Sequence, residues 1–335
     1  MSFSVGICGL PNVGKSTLFK ILTKREVKIS PRPFTTIEPN VGIVSVPDER
    51  LDKLFSLTKS EKKTPTKIEF VDIAGLIKGA HKGEGLGNQF LAHIRHCDAI
   101  CEVIRCFENP EAENVLREIN PQKEIEILET ELLMKDLETI ERALEKGKEK
   151  ERKEILEKIR EEVLKGKKIK EISLSEKEKE EIKDFQFLTQ KPAVYLLNVN
   201  GKTSFEKPKV NFLEMNLKEE EEMLNLTEEE KKELGLESKI EKLILSCYKI
   251  LDLITFYTIA GGKETKAWTI KRGSKITEAA KKIHSDFLKF VKAEVINWKK
   301  FLEIGGWQKA REKGFLKIVG KDYIVQDGDV IEFKL

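Results

Sequence analysis

No apolar run in this chain approaches the ~20 residues that a helix needs to cross a bilayer. Residues 1–14 lack the basic head and small-residue cleavage site of a secretory leader. A cytoplasmic protein that engages no membrane is therefore expected. Cysteine is sparse, with five in 335 residues and no Cys-x-x-Cys pair, so neither a disulfide framework nor a zinc ribbon is indicated. Cys97, Cys101 and Cys106 are close enough to raise a metal site. They fall in or beside an apolar run at 99–107, however, where Cys serves as a small buried residue. Arginine is rare, 11 against 50 Lys, and aromatic residues make up only 7%. Charge is what the chain has in abundance, at 36% of residues against roughly 25% in ordinary globular proteins. The signs cancel to +3, and the 39% hydrophobic content excludes a disordered composition. At 335 residues, two to three domains with sizeable cores are expected.

Residues 1–110 alternate short apolar runs with Gly, Pro and Asn, as βα units do. Strands are predicted at 4–8, 41–46, 67–71 and 99–107, and a helix at 14–22. Another apolar run, at 193–198, reads as a further strand of the same sheet. The interval 115–190 carries no β signal. There Ile125, Leu128, Leu132, Leu137, Ile140 and Leu144 repeat at helical spacing, with Asn120–Pro121 as the N-cap and first turn. Ile155, Ile159 and Val163 mark a second helix ending near Gly166, and Ser175 with Glu178 makes a capping box before a third. The pattern predicts a helical hairpin or coiled-coil arm inserted into an α/β domain. Beyond residue 253 the chain predicts strands at 256–259 and 266–270 and a helix at 276–283. A closing hairpin-like run at 317–319, 323–325 and 330–333 completes a β-grasp-like module.

The strongest signal is Gly9-Leu-Pro-Asn-Val-Gly-Lys-Ser16, a complete G-x-x-x-x-G-K-[ST] loop between a predicted strand and a predicted helix. Its glycines let successive N–H groups surround phosphates at a helix N-terminus, with Lys15 reaching the β/γ-phosphates and Ser16 a Mg²⁺ ion. A nucleoside triphosphate is the expected ligand. Asp72-Ile-Ala-Gly75 follows the strand at 67–71, where a D-x-x-G switch would hold Mg²⁺ through Asp72 and sense the γ-phosphate through the Gly75 N–H. Thr35 and Thr36 fall where a switch threonine would close over that ion, and Thr36 is the expected ligand.

Together these motifs resemble the translation-factor class of P-loop GTPases. Pro33-Phe-x-Thr-Ile-Glu-Pro-Asn-Val-Gly42, Asp72-Ile-Ala-Gly-Leu-Ile-Lys-Gly79, Gly83-Glu-Gly-Leu-Gly-Asn88 and Gly320-Lys-Asp-Tyr-x-Val-Gln-Asp-Gly-Asp-Val330 narrow the resemblance to the YchF-type Obg-like ATPases. The resemblance implies a doubly wound nucleotide domain at 1–115, an inserted helical coiled-coil domain at 116–190, the nucleotide domain resumed at 191–252 and a TGS domain at 253–335. It also implies an ATPase switch that engages the ribosome or its RNA. Nucleotide contacts are expected from Asn12, Val13, Gly14, Lys15, Ser16, Thr17, Asn198 and Val199, and Mg²⁺ ligands from Ser16, Thr36 and Asp72.

Two departures bear on chemistry. GTPases read guanine with N-K-x-D, but here the strand at 193–198 runs into Asn198-Val-Asn-Gly201, without the Lys or the acid. Two guanine donors would lack a partner, at about 1–3 kcal/mol each. ATP is therefore preferred over GTP, with Asn198 at the adenine, Val199 lining its pocket and the backbone near Met215–Asn216 as a further contact. The water-positioning Gln that follows the D-x-x-G glycine in Ras-type enzymes is Leu76. Hydrolysis must then draw on another group. His81 in the adjacent segment is one candidate, and K⁺ held by Asn12 is implied by the resemblance. Alternatives are a GTP-dependent ribosome regulator and, less favoured, a P-loop phosphotransferase. A monomer is expected. The +3 total also divides unevenly, with 17 basic and 10 acidic residues at 253–335 giving +7 and leaving −4 on residues 1–252. A basic tail suits a phosphate-backbone partner.

Overall fold

The computed structural model describes residues 3–24, 40–73, 86–147, 150–201, 203–284 and 292–334. In chain order these form β1 (Phe3–Cys8), α1 (Lys15–Lys24), β2 (Asn40–Ser45), α2 (Glu49–Thr58), β3 (Lys62–Thr64), β4 (Lys67–Asp72), α3 (Leu86–Arg95) and β5 (Ala99–Cys106). There follow α4 (Pro121–Glu145), α5 (Lys150–Leu164), α6 (Glu176–Ile182), β6 (Ala193–Val199), β7 (Phe212–Met215), α7 (Leu217–Glu222), α8 (Glu228–Glu233) and α9 (Ile240–Ile250). The last stretch contains β8 (Leu253–Ala260), β9 (Glu264–Lys271), α10 (Ile276–Ile283), β10 (Lys292–Asn297), α11 (Trp298–Ile304), α12 (Trp307–Glu312), β11 (Lys317–Val319) and β12 (Asp329–Lys334). Thr36, Gly75 and His81 lie outside the described residues.

The chain divides into two compact units, residues 1–44 with 69–243 and residues 45–68 with 244–335. The first unit is built on a sheet of order β2-β4-β1-β5-β6-β7, in which β1–β5, β5–β6 and β6–β7 are parallel. β5 is buried along its whole length, as a central strand covered on both faces must be. That burial explains the cysteines: Cys97, Cys101 and Cys106 are all buried, outside any disulfide, at or beside this strand.

The inserted arm follows the helical periodicity closely. Asn120 caps α4, its side chain accepting from the Lys123 N–H, with Pro121 in the first turn. Both arms of the Ser175–Glu178 capping box are present at α6. α4 serves two cores with one stripe. Ile125 and Leu128 are buried in its first half, which contacts β5. Ile140 and Ala143 pack with Leu156, Ile159, Val163 and Phe187 in a core of the arm itself. Asp136 joins the arm's layers, accepting from the Leu188 N–H at 2.7 Å and from the Thr189 N–H and hydroxyl at 2.8 and 2.7 Å.

The second unit holds a mixed sheet of order β11-β10-β12-β8-β9-β3. Two expectations change here. The run at 323–325 is no strand but a single bridge, Lys275 to Ile324, because β11 and β12 both pair with the unanticipated β10. Residues 45–68, read from the sequence as part of the first nucleotide-binding segment, cluster in this unit instead. The reason is packing: Leu51 and Leu54 of α2 are buried with Tyr257, Ala267, Ile296 and Phe301, and β3 runs parallel to β9. Asp48 caps α2, binds the Arg50 side chain and accepts from the Tyr257 hydroxyl at 2.5 Å.

Candidate functional site

At the carboxyl end of β1 the chain turns sharply into α1, and the turn's geometry explains its glycines. Gly9 and Gly14 sit at φ of 152° and 108°. A Cβ on Gly9 would drive into the Val103 carbonyl, and one on Gly14 would come within 2.6 Å of the Asn198 amide nitrogen. Asn12, at φ 61°, takes the left-handed conformation that Asn tolerates better than most residues. Its amide donates to the Glu113 carbonyl at 3.2 Å. The loop thus meets α1 with its N–H groups at a helix start, the arrangement that binds phosphate.

Lys15 is buried, and its ammonium donates to the Leu10 carbonyl at 2.7 Å. Burial pulls its pKa down, while Cys8, Asp72 and Glu124 act in the opposite direction. Asp72, at the end of β4, is pushed up by burial and held back by Lys15. The two motifs are distant in sequence, and the charge of each group favours the ionised form of the other.

The loop opens into a cavity of about 1070 Å³. Asn12, Gly14, Lys15, Ser16 and Thr17 line one side, and Asn198, Val199 and Asn200 line another. Asn198 is nearly enclosed. Its amide nitrogen donates to the Val13 carbonyl at 2.9 Å, and its oxygen accepts from the Leu217 N–H at 3.2 Å. The side chain thus ties the phosphate loop to the start of α7, and any base contact would use its second N–H or second lone pair. Gly201, where a guanine-reading acid would stand, has φ 71° and open space around its Cβ position.

One wall of this cavity was not anticipated from the sequence, and a second was anticipated only at Met215–Asn216. The segment 107–112 contributes Phe107, which has the Arg105 guanidinium 4.7 Å from its ring centroid. The start of α7 contributes Asn216 and Glu219, with Glu221 and Glu222 further along. A usable signal did exist: both segments follow the carboxyl ends of strands, β5 and β7, where open α/β sheets bind ligands.

Comparison with known proteins follows the same lines. Residues 4–146 match the family model described as 50S ribosome-binding GTPase. Residues 253–335 match YchF-GTPase_C, described as a protein of unknown function. The Ribosome-binding ATPase YchF of Escherichia coli O157:H7 is 44% identical over 360 residues, covering 99% of each chain. This chain belongs to the YchF family. The Bacillus subtilis member, also named Ribosome-binding ATPase YchF, is 41% identical over 364 residues, covering 100% of this chain and 99% of its own. The Schizosaccharomyces pombe YchF GTPase structure superposes with a TM-score of 0.85 at 34% identity, covering 99% of this chain and 98% of that one. The YchF fold spans the two units and the inserted arm alike.

Proposed function

We propose that this YchF chain is a Mg²⁺-dependent nucleoside-triphosphatase that prefers ATP to GTP and acts as a slow switch on the ribosome or its RNA. The observation that carries the reading is the phosphate loop opening into the cavity, with Lys15 and Ser16 in its lining and Asp72 at the end of β4. The loop's N–H groups and the α1 N-terminus would hold the phosphates, with Lys15 exchanging its bond to Leu10 for a phosphate oxygen. Ser16 and Asp72 offer only hard oxygen donors, a set that fits Mg²⁺ and not a thiophilic metal. When bound, Mg²⁺ neutralises charge on the β- and γ-phosphates. Thr36 as a further ligand, the Gly75 N–H at the γ-phosphate and His81 beside it complete the proposed constellation.

The preference for ATP rests on chemistry that the chain lacks. Gly201 offers no carboxylate to the two guanine donors, and Asn198 already spends one donor and one acceptor within the protein. Phe107 lines the same cavity, and the face of its ring not covered by Arg105 would be the aromatic surface for a base. Val13 contributes through its carbonyl bond to Asn198, and Asn12 would offer its amide oxygen to an activating K⁺. The ribosome enters through the names of the bacterial relatives and through charge. Residues 45–68 add +2 to the +7 of 253–335, and 244–252 are neutral, so the second unit carries +9 and the first −6. No helix among the described residues is long and apolar enough to cross a membrane. A TGS role for the basic tail, a cytoplasmic location and a monomeric state belong to the same proposal.

Titration with MgATP, MgGTP and their non-hydrolysable analogues tests the base preference, and equal affinities would refute it. Release of free phosphate separates a hydrolase from a phosphotransferase, which would instead label an acceptor. Pelleting with ribosomes at several salt concentrations, with and without nucleotide, tests the partner; indifference to both would remove the switch.

A further inference from the structure

Arg105 is the penultimate residue of β5, in register with Asn198 of β6, and it is 2% exposed. Among the described residues no carboxylate forms an ion pair with its guanidinium. Its donors go instead to four main-chain carbonyls of one loop. Nε donates to Phe107 at 3.1 Å, Nη1 to Glu113 at 3.2 Å, and Nη2 to Asn109 at 3.3 Å and Ala112 at 3.0 Å. The same group lies over the Phe107 ring. Its own N–H donates to Glu124 Oε2 at 3.0 Å, anchoring the strand end to α4. The Glu113 carbonyl also accepts from Asn12, so the loop is pinned to the phosphate loop as well.

A buried cation with no ion-paired carboxylate, only the charge of Glu124 at longer range, is costly, and an aliphatic side chain would serve the core better. What the guanidinium supplies is a rigid planar fork that collects diverging carbonyls. Lysine, with three donors on a flexible stem, cannot reproduce it. The held loop is the one whose residues 107–112 form a wall of the nucleotide cavity. We propose that Arg105 is a positioning residue that holds this loop as the nucleoside-side wall, setting affinity for base and ribose while phosphate capture stays with the loop at 9–16. The inference rests on the nucleotide-binding reading above and adds a division of labour within that site.

The test uses the full chain as wild type, R105K and R105Q, titrated calorimetrically with MgADP and with Mg-tripolyphosphate, alongside steady-state ATP hydrolysis. R105Q should weaken ADP at least tenfold and R105K about threefold to tenfold. Tripolyphosphate affinity should stay within twofold, and KM for ATP should rise with kcat within twofold. Parallel loss of ADP and tripolyphosphate would mean a purely structural role and overturn the proposal, as would unchanged ADP affinity. N109G provides a variant that leaves the buried arginine intact. It removes the turn in which the Asn109 side chain accepts from the Glu111 N–H at 3.0 Å, at an exposed position. It should show the same asymmetry at about threefold, and a symmetric loss or no loss counts against the proposal. A wild-type chain that binds neither ADP nor ATP would instead remove the nucleotide reading itself.

Discussion

Replacing Glu102 with Gln should flatten the pH dependence of the first unit's stability. Glu102 lies on β5, in register with Cys8 of β1 and Tyr195 of β6, and is 2% exposed. Its Oε2 has no hydrogen-bond partner among the described residues. Nearby Glu129 is already engaged, accepting from the Tyr195 hydroxyl and from Lys168, both at 2.7 Å. Burial, then the charge of Glu129, push the Glu102 carboxyl from 4.5 to about 8, against smaller opposition from Lys170 and Lys168. The folded chain therefore keeps a proton that the unfolded chain releases above pH 4.5. Linkage makes the sign definite: stability is greatest below the unfolded pKa, falls as pH rises and levels off above about 8. At ~1.4 kcal/mol per pK unit, the loss is roughly 3 kcal/mol by pH 7 and about 5 kcal/mol by pH 9.

Glutamine keeps the shape and cannot ionise. Any fixed cost of burying its amide, about 1–3 kcal/mol, is the same at every pH, so the informative quantity is the change in the wild-type-to-variant difference between pH 5 and pH 9. All three tryptophans, Trp268, Trp298 and Trp307, belong to the second unit, so tryptophan fluorescence would follow the wrong half of the chain. Hydrogen exchange at the β5 amides reads the correct unit, and comparing proteins at one pH cancels the intrinsic exchange rate. The variant should gain several kcal/mol relative to wild type between pH 5 and pH 9. A difference that stays within about 0.5 kcal/mol across that range, well below the linkage swing, would show that Glu102 ionises freely and refute the argument.

Asn198→Ala leaves the Val13 carbonyl and the Leu217 N–H without their partner. At about 1–3 kcal/mol per orphaned group, ADP affinity should fall at least tenfold, and a dissociation constant within twofold of wild type would contradict this. Asp48→Ala uncaps α2, strands the Tyr257 hydroxyl and unpairs part of Arg50. Tryptophan fluorescence during urea unfolding should report a loss of about 3 kcal/mol in the second unit, with ADP binding unchanged. A loss of ADP binding instead would mean that residues 45–68 serve the first unit. Asp136→Ala removes three acceptor bonds to Leu188 and Thr189, and amides of the arm's core should lose exchange protection before those of β5. Simultaneous loss would show that arm and sheet unfold as one.

The phosphate end of the site was legible in the sequence because it is local. Eight consecutive residues between a strand and a helix carry the glycines, the lysine and the serine, and backbone geometry does the rest. The arm was legible for a similar reason, since Asn120–Pro121, the Ile155–Ile159–Val163 stripe and the Ser175–Glu178 box are short-range signals. The nucleoside end is assembled from three strand ends, at Cys106, Val199 and Met215, far apart along the chain, and no local pattern marks Arg105 as the residue that folds the loop after β5. The allotment of residues 45–68 to the second unit was illegible for the same physical reason. α2 is an ordinary amphipathic helix, and only the cavity left by Tyr257, Ile296 and Phe301 says which core receives Leu51 and Leu54.

Charge division sets the two activities against each other. The nucleotide cavity belongs to the unit carrying −6, and its lining includes Glu108, Glu111, Glu219, Glu221 and Glu222 against Lys15 and Lys218. Long-range attraction therefore does not draw a free nucleotide polyanion into this site. Capture has to come from short-range N–H groups and Lys15, and it favours the nucleotide whose charge Mg²⁺ has already reduced. Added salt screens the acidic rim within a Debye length of about 8–10 Å, so nucleotide association should speed up between 50 and 300 mM KCl, in stopped-flow measurements at saturating Mg²⁺. Over the same range the +9 unit should lose affinity for a phosphate backbone through counter-ion uptake. Nucleotide association and ribosome binding that weaken together with salt would mean that the two surfaces share one electrostatic field, and the assignment of separate roles to the two units would fall.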